Sequence, residues 1–143
     1  MFTPVQTRAS SAYRRVSADT SVVAADAHQL VSLLFQELMH SIANARGSME
    51  RKQIPEKCAS ISQAIRVLDE GLRGSLNLAQ GGEIAENLDA LYNYCILQLT
   101  KANAFNDDAM LREVRDLIEP VSLAWKEIRA EVSPQPAGAA ARG

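Results

Sequence analysis

Apolar residues recur along this chain at spacings of three and four, without sustained alternation. That is the period of one helix face, so the pattern predicts helices and no strands. The first stripe is Leu30, Leu34, Leu38, Ile42, Ala45 and Met49, widened by Val31 and Phe35, and it fades by Arg51. Asp26 is the expected N-cap, because its carboxylate can accept from the free amides of a first turn. In "QIPEKC", Pro55 suits the first turn of a second helix, where no amide donor is needed. Cys58, Ile61, Ile65, Leu68, Leu72 and Leu76 then repeat at 3-4-3-4-4. Gly71 and Gly74 either permit close helix approach or mark a frayed last turn.

"AQGGEIAENL" reads as a boundary: two glycines stop one helix, and Glu83 and Glu86 suit the positive start of the next. The third helix is expected from about Glu83 to Asn103. Asp107 or Asp108 caps the fourth, where Leu111, Val114, Ile118, Val121, Trp125 and Ile128 repeat at 3-4-3-4-3. Pro120 falls inside that series without changing its phase, which predicts a kink rather than a break. Short connections make the neighbours antiparallel. The expected fold is all-α: an antiparallel four-helix bundle over residues 13–132, with a short N-terminal helix, a flexible start (1–12) and a disordered tail (133–143).

The third helix carries more apolar surface than a core stripe requires. The stripe that starts at Ile84 continues in "NLDALYNYCILQL", residues 87–99, as Leu88, Leu91, Cys95 and Leu99, bordered by Tyr92, while Tyr94, Ile96 and Leu97 lie off it. Leaving three such side chains in water forgoes about 1.5–3 kcal/mol each. Three readings stand. A central helix touches neighbours on two sides, which would absorb Ile96. The chain's own start, with Tyr13 and Val16 one helical turn apart, could dock there. Or the surface is a groove for a foreign helix.

Composition narrows the choice. With 143 residues and a net charge of −2, the chain suits one domain and argues against a general nucleic-acid binder. Arg8, Arg14 and Arg15 read as a solvated tail. No apolar run is long enough to span a bilayer, and "MFTPVQTRASSAYRR" lacks the apolar region of a signal peptide. No membrane insertion and a cytoplasmic location are expected. Cys58 and Cys95 fall at apolar positions and read as reduced thiols.

Candidate chemistry is sparse. Glu37 and His40 have the Glu-x-x-His spacing of a di-iron bundle, but there is no second such pair. The two histidines, His28 and His40, fall on one helix and give no nucleophile, base and acid set. The expectation is a binding module with no cofactor, rather than an enzyme.

"SLNLAQGGEIAENLDALYNYCILQLTKANAFND" resembles the middle of the flagellar secretion chaperone family, FliS. The likeness is carried by Gly82-Glu83-Ile84-Ala85, Asn87-Leu88, Leu91-Tyr92 and Ala102-Asn103. "AYRRV", "ADAHQLVSLLF" and "LAW" at 123–125 are similar to its N-terminal segment, first long helix and last helix. The resemblance covers roughly residues 11–130. It implies a non-enzymatic four-helix bundle that binds the disordered C-terminal segment of flagellin. Binding would block premature polymerisation and assist delivery to an export-gate component of the type III apparatus. It also implies that the N-terminal segment can cover part of the groove. On that footing Tyr13 and Val16 are the expected gate. Asn87, Leu91, Tyr92, Tyr94, Ile96 and Leu97 are expected in the groove, where Asn87 and Asn93 could bond a partner's backbone. The rival from another class is a homodimeric structural bundle whose outer apolar face is a subunit interface.

Overall fold

Leu38, Ile42 and Ala45 on the first helix are fully buried, as are Ile61 and Leu68 on the second, Cys95 and Leu99 on the third, and Leu111, Val114 and Ile118 on the fourth. They form one cluster at the centre of a bundle. The computed structural model describes residues 20–132. The expected N-terminal helix, the flexible start, the C-terminal tail, Tyr13 and Val16 all lie outside them.

Four long helices follow in order: α1 (Thr20–Glu50), α2 (Ile54–Arg66), α3 (Leu78–Phe105) and α4 (Asp108–Val132). α1 packs on α2 and α4, and α3 packs on the same two, so the helices form the four sides of a square. The tight turns between them make successive helices antiparallel.

The ends differ from the sequence-based expectation in three places. α1 begins at Thr20, so Asp26 is an interior residue and not the cap. α2 starts with Pro55 in its first turn, as expected, but ends in a wide π turn (Val67–Leu72) followed by a tight 3-10 turn (Arg73–Ser75). The wide turn accounts for the last spacings of the second stripe. Steps of four and four would drift off the core in a regular helix, and an expanded turn lets Leu68 and Leu72 both stay buried. Gly71 lies in that turn. A Cβ built there would sit 2.9 Å from Leu34 Cδ2, so the missing side chain is what lets α1 approach.

The paired glycines are not the stop between helices. Asn77 caps a short turn from Leu78, its Oδ1 accepting from the Gln80 amide at 3.0 Å. The chain then swings at Gly82 (φ 59°, ψ −136°) before the long run of α3 begins at Glu83. That conformation is open essentially to glycine alone. At the far end, Asn106 is left-handed (φ 52°), and the Asp107 amide reaches back to the Ala102 carbonyl at 3.1 Å. The Asp107 carboxylate then accepts from the Ala109 amide at 2.9 Å and caps α4. α4 runs through Pro120 without a break.

Ion pairs and one buried amine join the sides. Arg46 on α1 donates to Asp108 at 2.8 Å, and Arg73 donates to both Asp69 and Asp89 at 2.8 Å. Lys57 is only 2% exposed. Its Nζ donates to the Asn103 carbonyl at 2.9 Å and to Asn106 Oδ1, which places a cation on the negative end of α3.

Candidate functional site

α3 has two flanks, and hydrogen bonds identify them. Asp89 and Asn103 bond to Arg73, Lys57 and Cys58 of the α2 region, so their flank faces α2. Tyr94 and Gln98 both bond to Glu113, so their flank faces α4. Helical periodicity then places the expected groove residues. Asn87 and Leu91 fall on the α4 flank with Tyr94. Ile96 falls on the α2 flank, where it is half-buried against the core. Leu97 points away from the bundle.

The structure therefore divides the expected set. Asn87, Leu91 and Tyr94 share one seam, along which antiparallel register brings Glu113, Leu117 and Val121 of α4. Leu97 stands just outside it, one helical turn from Tyr94. Tyr94 is 42% exposed and Leu97 is 51% exposed, so this pair is open. Leu91 is half-buried, with its inner side packed on the core. Asn87 and Asn93 are exposed, and Asn93 donates to Asp89 at 3.5 Å. Ile96 is absorbed by a neighbouring helix.

Tyr92 is a correction of position. It is 3% exposed and belongs to the core cluster, so its ring backs the surface from inside and does not line it. Burial pushes its hydroxyl up to about 12. Ile84 errs in the opposite direction: assigned to the core stripe by phase, it is 73% exposed. It lies just past the Gly82 bend, at the bundle end where Ile128 of α4 is also exposed.

The seam is organised by one carboxylate. The Tyr94 hydroxyl donates to Glu113 Oε2 at 2.7 Å, and Gln98 Nε2 donates to Glu113 Oε1 at 2.7 Å. These two donors hold the Glu113 carboxyl below its usual range, the tyrosine first and the glutamine second. The same bond raises the Tyr94 hydroxyl, since removing its proton would set an anion beside Glu113. Sequence reading did not single out Glu113, because a glutamate on a polar helix face carries no mark of its partner.

The remaining candidates are occupied within the protein. The Glu37 carboxylate accepts from Ser41 and Gln63 at 3.3 Å, on the edge of an open depression lined also by Leu33, Leu34 and His40. Both thiols are free. Cys95 is buried, which pushes its thiol up to about 12 and leaves it protonated. No described helix is long and apolar enough to cross a membrane.

The family model described as flagellar protein FliS matches residues 9–132. This chain belongs to the FliS family. It is 44% identical over 121 residues to the flagellar secretion chaperone FliSB of Pseudomonas aeruginosa, covering 85% of this chain and 95% of that one. It is 38% identical over 122 residues to flagellar secretion chaperone FliS of Salmonella typhimurium, covering 85% and 90%. Against FliS of Vibrio cholerae it is 34% identical over 120 residues, covering 84% and 88%. FliS membership makes the chain a flagellar secretion chaperone. A chaperone's work is done by surface, which puts the open apolar pair on α3 at the centre of the functional question.

Proposed function

We propose that this chain holds the C-terminal segment of flagellin in the cytoplasm, keeps it from polymerising there, and helps deliver it to an export-gate component of the type III apparatus. The observation that carries the reading is the exposed pair Tyr94 and Leu97 beside the α3–α4 seam, in a chain that belongs to a secretion-chaperone family. Apolar side chains fixed on a rigid helix suit a disordered client that folds on contact. Such a client meets an ordering cost when it binds, so the interface has to be long and apolar. Half-buried Leu91 and Leu117 extend the apolar strip along the seam. The exposed Asn87 amide offers polar contacts to a partner's backbone.

The test is calorimetric titration with flagellin from the same cell, intact and lacking its last few dozen residues. Binding of the intact protein alone is the expected result. Equal binding of both would move the contact elsewhere on flagellin. Sedimentation at micromolar concentration accompanies it: a stable dimer that dissociates when Leu97 is replaced by Asp would assign this face to a second copy.

A further inference from the structure

We propose that Glu113 is a positioning residue for partner binding: its carboxylate fixes the Tyr94 ring as a rigid aromatic anchor on the α3–α4 seam. The inference rests on the reading above, that this surface receives the flagellin segment.

Both oxygens of Glu113 are committed, one to the Tyr94 hydroxyl and one to the Gln98 amide. Gln98 is itself buried, so its amide is held and fixes the carboxylate in turn. The order of constraint runs from buried Gln98, through half-exposed Glu113, to exposed Tyr94. Bonds to an ionised acceptor are stronger than neutral ones, which suits them to hold a ring that packing alone would leave mobile. A tyrosine fixed before the partner arrives presents a large apolar face without the loss of freedom that immobilising it would otherwise cost on binding. The hydroxyl is turned to the protein, so the open side of the ring is left for aliphatic groups of the client. The same carboxylate disfavours a client residue of like charge at that point of the seam. The partner chemistry is thus an apolar segment with no acidic side chain facing Glu113.

The experiment titrates a peptide of the last few dozen flagellin residues into the full chain, as wild type, Tyr94→Phe, Glu113→Ala, the double variant and Glu113→Gln, with melting temperatures taken on each. Tyr94→Phe and Glu113→Ala should each weaken binding by about threefold to tenfold, the scale of one hydrogen bond. The double variant should bind no more weakly than the worse single one, because both remove the same link. Glu113→Gln should recover most of the affinity, since its amide oxygen still accepts from Tyr94 while its amide nitrogen donates to a turned Gln98. Losses that multiply in the double variant, or wild-type affinity in Tyr94→Phe, would overturn the proposal. Tyr94→Phe keeps the ring and decides the matter even if Glu113→Ala melts early. A wild-type chain that does not bind the peptide fails at the earlier step, and the docking reading goes with it.

Discussion

Trp125 lies flat on His28, ring centroids 4.1 Å apart and planes within 8°, and its indole N–H donates to the His28 carbonyl at 3.1 Å. One side chain thus ties the last helix to the first at one end, with Arg46 and Asp108 making the corresponding tie at the other. Trp125→Ala should lower stability by about 2–3 kcal/mol, less than for a fully enclosed tryptophan because Trp125 is half-buried. Trp125→Phe keeps the stack and loses the hydrogen bond, for about 1 kcal/mol. Urea unfolding followed by circular dichroism reads both.

Leu97 and Ile96 are adjacent in sequence and different in role. Leu97→Asp should remove flagellin binding while leaving the urea midpoint within experimental error. Ile96→Asp should lower the midpoint, since it sets a carboxylate against the core. If Leu97→Asp binds as wild type does, the open face of α3 is not the docking surface.

Gly82→Ala tests the bend. Nothing lies within 4 Å of a Cβ built there, so any loss comes from backbone conformation alone. A cost of about 1–3 kcal/mol is expected for an L-residue in that region. It should be accompanied by faster amide exchange at 78–81.

Lys57→Met keeps the apolar stem and removes the ammonium that two acceptors at the end of α3 share. The loss should be about 1.5–3 kcal/mol, the scale of hydrogen bonds to a charged group. Thermal unfolding at neutral pH measures it.

The Arg46 guanidinium holds the Asp108 carboxyl below its usual range. A depressed folded pKa gives stability that is complete above the unfolded value, about 3.9. That stability is lost as pH falls through the lower folded value. Both groups are partly exposed and screened, so Asp108→Asn should cost under about 1 kcal/mol at pH 7. The gap between wild type and variant should narrow as pH falls below about 4, as denaturant midpoints at pH 7 and in acid will show.

The stripes were legible because burial leaves a period in the sequence: Leu38, Ile42, Ile61, Leu111 and Ile118 are fully buried, as their spacing requires. Pro55 and Asp107 were legible because their chemistry is local. What escaped depends on a second segment. His28 reads from sequence only as one of two histidines on the first helix, and the stacking of Trp125 on its ring comes from the far end of the chain. Lys57 sits where a lysine would ordinarily meet water, and only the turn after α3 makes it a buried one. Paired glycines signal a stop, yet Asn77 had already capped a turn ahead of them. In the candidate site, phase alone separated Leu97 from the core. It could not show that Tyr92 lies inside, or that Glu113 holds Tyr94.

α4 passes through Pro120 unbroken, and that has a mechanical consequence. The ring offers no proton to the carbonyl of Asp116, so the ladder of backbone bonds is interrupted at mid-length on a face turned to solvent. At that rung the packing of Val121 and Trp125 against the core takes over what one backbone bond would supply. The indole is therefore the bolt of this end of the bundle, and loosening it exposes the weakest link of the last helix.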